Sequence, residues 1–324
     1  MAVGLLALAG CAGGGATPEP TRPVPATSAP AVQVAVAPLT GRIVAADSIN
    51  HPSLAAKIDN HEDARPQWAL NETDMLFEEM VEGGLTRYVA VWQSTIPTDL
   101  GPVRSIRPMD PDIISPLGGI VAYSGGQQQF VAMMQAAPVV NISADYDGTF
   151  FYRSDERDAP HNELLKAQEA VAANASVPKP QPQFSFGGIS QVAAQGGNPT
   201  THIDLEFSAS SQRSWDWDAA AGVWLRSQDG VEDTVHDGGR TRATNVVTMI
   251  VNIDWTYGIV PKTVMVDSGT AYVSVGGKTI ECTWSKASQT DPIVLKGADG
   301  NVIKLATGNT WIELLPNTGS VAFG

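Results

Sequence analysis

Asp74-Met-Leu-Phe-Glu-Glu-Met-Val81 is followed by Glu82-Gly83-Gly84 and then by Leu85-Thr-Arg-Tyr-Val-Ala-Val-Trp-Gln93. Both flanking runs are rich in the apolar, β-branched and aromatic residues that favour strands. The paired glycines supply the positive φ that a tight chain reversal requires. The segment therefore predicts an antiparallel hairpin.

Strands and helices alternate on both sides of this hairpin, which indicates a mixed α/β arrangement. Apolar runs predict strands at residues 53–58, 119–124 and 138–142, and apolar faces predict helices at residues 127–135 and 162–173. Pro160 and Asn162 fit the start of the second helix, with Asn162 as its N-cap.

The composition changes after Asn174. Prolines and paired glycines punctuate residues 176–200, which predicts a linker without a long regular element. From His202 onward, short alternating runs separated by Gly-containing turns predict antiparallel β structure. Six tryptophans lie in this half, and we expect most of them to be core residues, although aromatic platforms for sugar rings are the alternative. The predicted fold class is α+β: a mixed α/β domain at residues 41–175, a linker at 176–200 and a mainly antiparallel β domain at 201–324.

The amino terminus predicts a lipid anchor. Residues 1–10 are apolar and end in Leu8-Ala9-Gly10 before Cys11, a pattern similar to the cleavage site of bacterial lipoproteins; the alternative is a buried thiol on a short apolar segment. Acylation of Cys11 would hold the protein at the outer face of the cell membrane, with about 0.8 kcal/mol gained per buried CH₂. The Pro/Ala/Thr-rich sequence that follows predicts a disordered tether at residues 11–40. No Lys or Arg precedes the apolar run, so we expect the start codon to lie upstream of Met1.

Charge and cysteine content exclude several classes of function. The 324 residues carry 20 Lys+Arg and 34 Asp+Glu, a formal net charge of −14, which argues against a nucleic-acid partner. The two cysteines, Cys11 and Cys282, rule out a disulfide framework and a cysteine-built zinc site. Cys282 is expected to be a buried apolar residue rather than a nucleophile.

Five ordered motifs resemble the YerB-like family of bacterial lipoproteins. They are residues 56–67 (AKIDNHEDARPQ), 78–87 (EEMVEGGLTR), 101–107 (GPVRSIR), 123–126 (YSGG) and 159–162 (APHN). Residues 240–247, 276–286 and 305–316 are similar to the carboxy-terminal domain of that family. The resemblance implies a lipid-anchored envelope protein with an α+β domain followed by a β domain. It implies no reaction, because the family is one of unknown function.

The motifs concentrate arginines and small polar residues at predicted strand ends, where loops carry function on a rigid scaffold. Guanidinium groups recognise carboxylates and phosphates in a bidentate manner, and the helix that follows Ser124-Gly125-Gly126 would offer unpaired N–H groups to the same oxyanions. The alternative is that each arginine forms a structural ion pair with Glu79, Glu82 or Asp110. The predicted ligand-binding residues are Asp59, Asn60, Arg65, Arg87, Arg104, Ser105, Arg107, Ser124, Gly125, Gly126, His161 and Asn162. Binding of a carboxylate- or phosphate-bearing envelope component, such as peptidoglycan or a wall polymer, is the leading hypothesis, and protein partners are not predicted.

A glycan or peptide hydrolase is the competing hypothesis. Strand periodicity places Glu79 on the apolar face and Glu78 and Glu82 on the other, and a carboxyl on an apolar face is either paired or raised in pKa, as a general acid requires. The candidate catalytic residues are Glu79, Glu82 and His161, although a salt bridge from Glu79 to Arg87 or Arg104 is the stronger expectation. His51, His61 and His161 show no short ligand spacing, so no metal site and no cofactor is predicted. A purely structural role, in which the arginines hold their own loops, is a third possibility.

Overall fold

The computed structural model describes residues 1–15 and residues 33–324. Residues 1–15 contain no helix or strand, and Cys11 is exposed. Within these two ranges no helix combines the length and the apolar composition needed to cross a membrane. Most of the predicted tether, residues 16–32, lies outside the described residues, so its disorder stays a prediction.

The ordered body begins earlier than the sequence predicted. The first strands are β1 (Val34–Val36), β2 (Ile43–Ala45), β3 (Leu54–Asp59), β4 (Met75–Met80), β5 (Thr86–Trp92), β6 (Asp99–Leu100), β7 (Ile120–Tyr123), β8 (Val140–Ser143), β9 (Phe151–Arg153), β10 (Glu163–Lys166) and β11 (Ser185–Gly187). β1 pairs with β2, and Leu39 is fully buried in the core. The predicted tether boundary at residue 40 is therefore wrong, because the β-branched residues of β1 and the side chain of Leu39 have partners in the body.

The second half is almost entirely β structure. Its strands are β12 (Asn198–Pro199), β13 (His202–Ser208), β14 (Ser211–Asp218), β15 (Val223–Gln228), β16 (Val231–Glu232), β17 (Arg242–Ala243), β18 (Asn245–Val251), β19 (Ile253–Tyr257), β20 (Val260–Thr263), β21 (Ser268–Val275), β22 (Lys278–Ser285), β23 (Val294–Lys296), β24 (Lys304–Ala306), β25 (Thr310–Pro316) and β26 (Ser320–Phe323). The α-helices of the described residues are α1 (Asp110–Ile114), α2 (Gln128–Gln135), α3 (Ala167–Ala173) and α4 (Ile189–Ala193).

The predicted hairpin is confirmed. β4 and β5 are antiparallel neighbours joined through a 3₁₀ turn at Glu82–Gly84, in which Gly83 and Gly84 both have a φ of 72°. Helix α2 and strands β3, β7 and β8 also form close to the predicted positions.

The predicted helix at residues 162–173 is wrong in its first turn. Residues Glu163–Lys166 form β10 between β6 and β9, and α3 begins only at Ala167. Leu164 and Leu165 are both buried, one on each side of the strand, so burial on two faces outweighs the helical pattern. Asn162 is consequently not an N-cap.

One mixed sheet contains strands from both halves of the chain. Its order is β12-β22-β21-β18-β25-β4-β5-β3-β7-β8, with β23 beside β22. The joining strand is β25, which is buried along its whole length and runs parallel to both β18 and β4. The fold is α+β with mainly antiparallel sheets. The predicted linker at residues 176–200 divides the sequence into two regions, but strands from both regions belong to the same large sheet.

A second sheet, β16-β15-β14-β13-β26 with β17 beside β15, covers one face of the large sheet. The opposite face carries α1, α2 and α4. Because both faces are covered, β4 is buried at every position. Glu78, predicted to face away from the core, is therefore fully buried beneath the second sheet, as Glu79 is beneath the helices.

The tryptophans of the second half are mainly core residues, as expected. Trp215, Trp224, Trp284 and Trp311 are buried, whereas Trp255 is exposed. Cys282 is also buried, and burial, followed by the nearby charge of Glu281, raises the pKa of its thiol to about 12. The buried-thiol prediction for Cys282 is confirmed.

Candidate functional site

Several of the predicted site residues meet at one end of the large sheet. Adjacent strands place Asp59 of β3 opposite Arg87 of β5, and Arg87 opposite Glu79 of β4. A cavity of about 280 Å³ opens there, which we call the arginine cleft. It is lined by Asp59, His61, Val81, Glu82, Leu85, Thr86, Arg87, Arg104, Arg107 and His161.

Three guanidinium groups face this cleft in different bonding states. Arg107 donates from Nε to Oε2 of Glu82 at 2.7 Å, and Nε of Arg104 lies 3.2 Å from Oδ2 of Asp59. Arg87 donates from Nη1 to the carbonyl of Ser105 at 2.8 Å and pairs with no carboxylate among the described residues. Burial, followed by the nearby charge of Arg107, lowers the pKa of Arg87 to about 10. Of these two ion pairs, only that of Arg107 with Glu82 was expected, because Asp59 was not among the predicted partners. Arg87 has no carboxylate within ion-pair distance among the described residues.

The two acidic groups of the cleft are held by hydrogen bonds. Burial raises the pKa of Glu82, but the hydrogen bond from Arg107, a backbone hydrogen bond and the charges of Arg107 and Arg87 together bring the pKa below its ordinary value. Asp59 accepts hydrogen bonds from the backbone N–H of His61 at 3.2 Å and from Nδ1 of His161 at 2.8 Å. This hydrogen bond fixes the orientation of the His161 ring: Nδ1 points toward Asp59, and Nε2 lies on the opposite edge of the ring.

His161 reaches the cleft because its loop is fastened to the loop after β3. Arg157 stacks over Trp68, with its Cζ 4.3 Å from the ring centroid, and donates hydrogen bonds to the carbonyls of Ala64 and Pro66. These contacts set the rings of His61 and His161 in a stack with centroids 4.6 Å apart.

Other predicted ligand-binding residues lie near the cleft, but their side chains form hydrogen bonds within the protein. Asn60 is buried and donates to Thr86 and Gln228, and Asn162 donates to the carbonyls of Ser154 and Arg157. Ser105 contributes its carbonyl oxygen to Arg87, while its hydroxyl donates to the carbonyl of Ser124.

Arg65 faces a neighbouring cavity of about 550 Å³. There it donates to the carbonyl of Asn60 and lies 3.4 Å from Asp229. His61 and Leu85 line both cavities, so the arginine cleft and this larger cavity adjoin.

The predicted anion site at the start of α2 is not part of the cleft. The hydroxyl of Ser124 donates to Glu163, and a Cβ added to Gly125 would lie 2.1 Å from Oδ2 of Asp145. Two carboxylates therefore lie against the Ser124-Gly125-Gly126 turn. Their negative charge disfavours an anion there, so the geometry of this turn does not support the predicted role.

Glu79, predicted as a catalytic acid or as a partner of Arg87 or Arg104, pairs with a lysine instead of an arginine. It is fully buried and contacts Nζ of Lys57, which also donates to Oδ1 of Asp110 at 2.8 Å. Glu79 does not line the arginine cleft. The predicted partner was wrong because Lys57, on β3 one strand beyond β5, points to the same face of the sheet.

Glu78 has two cationic partners that the sequence analysis missed. Nε of Arg213 lies 2.7 Å from Oε1 and Nη2 of Arg226 lies 2.5 Å from Oε2. Burial raises the pKa of Glu78, but these two charges outweigh it and lower the value to about 2. Both arginines come from the second sheet, so no local sequence signal indicated them.

The spacing of the histidines gave no sign of a metal site, yet the fold brings three possible ligands together. His61, Asp63 and His161 offer ligand atoms that lie within 4.8 Å of one another. His61-x-Asp63, directly after the end of β3, is the sequence feature that would have indicated them.

Fold and site define an α+β protein whose two sequence regions share one sheet and whose first region carries an arginine-lined cleft. The chain belongs to the YerB-like family: residues 39–179 match the N-terminal domain, and residues 203–312 the C-terminal domain, of the family described as protein of unknown function (DUF3048). It is similar to the putative lipoprotein YerB of Bacillus subtilis (strain 168), with 25% identity over 292 residues that cover 87% of this chain and 86% of that protein. The crystal structure of YerB from Bacillus subtilis matches with a TM-score of 0.78 at 24% identity, covering 88% of this chain and 99% of the other. The resemblance seen in the sequence motifs is confirmed.

Proposed function

We propose that the arginine cleft binds a carboxylate or phosphate group of a cell-envelope component. The observation that carries this proposal is Arg87: its guanidinium is largely buried, faces the cleft and lacks a carboxylate partner among the described residues. Burial of a cation is costly, and the charges of Asp59 and Glu82 act on Arg87 only from beyond ion-pair distance. An incoming oxyanion would supply a carboxylate or phosphate in direct contact with this guanidinium.

The two other arginines support the same ligand. Arg104 keeps a quarter of its side chain exposed, and its Nε contacts Asp59 without a well-aligned hydrogen bond. Guanidinium groups bind carboxylates and phosphates through pairs of parallel hydrogen bonds, so Arg87 and Arg104 offer donors from two directions. In a chain of net charge −14, three arginines around one small cavity form a local positive site.

We place this activity at the outer face of the cell membrane, with the protein anchored through acylated Cys11. Support comes from the sequence that precedes Cys11 and from the name of the Bacillus subtilis relative, a putative lipoprotein. The ligand at that address would come from peptidoglycan peptides, which carry carboxylates, or from wall polymers, which carry phosphates.

Calorimetric titration of the full-length protein tests the proposal, with inorganic phosphate, acetate, peptidoglycan disaccharide peptides and glycerol phosphate oligomers as separate ligands. We expect saturable binding of at least one of them and a loss of about tenfold or more in Arg104→Ala, since a charge-assisted hydrogen bond contributes about 1.5–3 kcal/mol. Arg153→Ala is the matched control, because Arg153 also pairs with a carboxylate, Glu163 at 3.4 Å, but lies outside the cleft. Equal losses in both variants, or no saturable binding, would overturn the proposal.

A hydrolase is the second candidate function, with Asp59 in place of Glu79 beside the predicted Glu82 and His161. The Asp59–His161 hydrogen bond has the geometry that orients a histidine as a general base, and Glu82 lies on the same cleft. Hydrolysis would produce new peptide or glycan ends from cell-wall fragments, detectable by mass spectrometry. Product formation that His161→Ala abolishes would favour the enzyme, whereas unchanged fragments after binding would favour the binding protein.

A further inference from the structure

Two histidines and one carboxylate converge beside the arginine cleft although the loops that carry them are distant in sequence. Nδ1 of His61 lies 3.3 Å from Oδ2 of Asp63. Zinc bonds of about 2.0–2.2 Å in tetrahedral geometry place neighbouring ligand atoms roughly 3.4 Å apart, so this pair already has the spacing of two ligands on one ion. A cation there would replace the weak hydrogen bond of 3.2 Å that Nδ1 accepts from the backbone N–H of Asp63.

His161 is oriented by a hydrogen bond in a way that suits a third metal ligand. Its Nδ1 hydrogen-bonds to Asp59 at 2.8 Å, which leaves Nε2 to bind an ion. Metal-binding histidines commonly donate their second nitrogen to a carboxylate, which fixes the ring and raises its basicity. Asp59 is in turn held by Arg104 and by the backbone N–H of His61, so this supporting carboxylate cannot rotate freely.

The chemical types of the three side chains determine which metal ions the cluster would prefer. Two imidazoles and one carboxylate suit first-row transition ions such as zinc and cobalt, whereas magnesium and calcium prefer all-oxygen sites. Three protein ligands also leave coordination positions open. His61 and His161 line the arginine cleft, so an open position would face the space between them and the arginines.

We propose that His61, Asp63 and His161 form a site for a divalent transition-metal ion, with Asp59 as the carboxylate that positions His161. This site goes beyond the proposed anion binding and does not depend on it. The ion adds positive charge at the wall of a cleft that already carries three arginines.

Cobalt(II) titration of the full-length protein tests the site, because low-symmetry cobalt coordinated by imidazole has a visible absorption spectrum that hydrated cobalt lacks. We expect one equivalent to bind, and zinc to displace it. His61→Ala and His161→Ala should each weaken binding by about tenfold or more, and Asp59→Asn by about 10–100-fold through loss of the supporting carboxylate. Because metal and proton compete for the same nitrogens, binding should also weaken in acid.

His202→Ala is the matched control. His202 also lies between two carboxylates, Asp204 at 3.0 Å and Asp216 at 2.7 Å, and is partly exposed like His61, but it is outside the cluster. Unchanged cobalt binding in His61→Ala or His161→Ala, or an equal loss in His202→Ala, would overturn the metal site. Thermal unfolding of each variant verifies folding, and His61→Ala remains decisive if His161→Ala unfolds. Phosphate titration after treatment with a chelator tests the anion proposal separately.

Discussion

Oε2 of Glu82 lies 2.7 Å from Nε of Arg107, and this ion pair forms part of the wall of the arginine cleft. Glu82 therefore accepts a hydrogen bond that Arg107 could otherwise donate to an incoming oxyanion. Arg87, on the same wall, lacks such a partner among residues 1–15 and 33–324. Of the three arginines of the cleft, two are thus paired with a carboxylate and Arg87 is not.

Glu82→Gln should strengthen anion binding, because it removes a negative charge from the cleft and frees the donors of Arg107. We expect a gain of about two- to fivefold, equivalent to roughly 0.5–1 kcal/mol for a partly exposed ion pair. Calorimetric titration with inorganic phosphate measures it, with Glu232→Gln as the control, since Glu232 pairs with Arg240 at 3.3 Å outside the cleft. Weaker binding in Glu82→Gln would show that Glu82 itself contacts the ligand.

Removal of the buried Lys57 should destabilise the fold strongly. Lys57→Met leaves the carboxylates of Glu79 and Asp110 buried together without a cation, which typically costs about 3–5 kcal/mol. Glu79→Gln should cost less, about 1–3 kcal/mol, because Lys57 retains Asp110 at 2.8 Å. Urea unfolding measures both, and Lys166→Met, at an exposed pair with Glu169, provides the control.

The same experiment distinguishes structural from catalytic roles for Glu79. If Glu79 only neutralises Lys57, then Glu79→Gln lowers the free energy of unfolding but leaves anion binding in the arginine cleft unchanged. A Glu79→Gln protein of normal stability that had lost binding or turnover would contradict the arrangement described here.

Glu313 should make the stability of the protein depend on pH near neutrality. Burial, together with the nearby charge of Glu78, raises the pKa of Glu313 to about 8, and its Oε2 is buried without a hydrogen bond. In the unfolded chain the group titrates near its ordinary value of 4.5. Between these values the folded state binds the extra proton, so the free energy of unfolding falls as the pH rises from about 4.5 to 8.

Glu313→Gln tests this titration because the amide mimics the protonated acid and retains an oxygen to accept the hydrogen bond from Trp215 at 2.8 Å. Relative to the parent protein, the variant should gain on the order of 2–5 kcal/mol at pH 9 and change little at pH 4.5. Denaturant unfolding at several pH values measures the difference. Glu206→Gln, at an exposed position of β13, should show no such pH-dependent gain, and a parallel shift of both variants would contradict the assignment to Glu313.

Local patterns predicted the parts of the fold that depend on neighbours in sequence. The β4–β5 hairpin follows from two apolar runs around Gly83-Gly84, and helix α2 follows from its apolar face. The start of α3 could not be predicted in the same way, because β10 is a strand only when β6 and β9 lie on either side of it. Likewise, the parallel pairing of β25 with β4 joins segments more than two hundred residues apart.

The site was predictable to the extent that its residues lie at strand ends. Asp59, Arg87, Arg104, Arg107 and His161 do meet in one cleft. β3 and β5 are antiparallel neighbours, so the last residue of β3 and the first residues of β5 lie at the same end of the sheet. The partner of a buried charge was not predictable, since it is set by which side chain of a distant segment packs against it. Glu78 illustrates this limit, because its partner Arg213 is 135 residues away in the sequence.

Cys11→Ser should release the protein from the membrane. If Cys11 is acylated, two or three chains with about 0.8 kcal/mol gained per buried CH₂ hold the protein firmly, and serine offers no thiol for the diacylglycerol. Cys282→Ala is the matched control, because Cys282 is the second cysteine of the chain and is buried in the core. Metabolic labelling with palmitate, followed by separation of membrane and soluble fractions of the producing cells, measures both properties. We expect label and membrane association to persist in Cys282→Ala and to be lost in Cys11→Ser. A Cys11→Ser protein that still carried palmitate, or an unlabelled parent protein in the soluble fraction, would contradict the lipid anchor and remove the envelope as the source of the cleft's ligand.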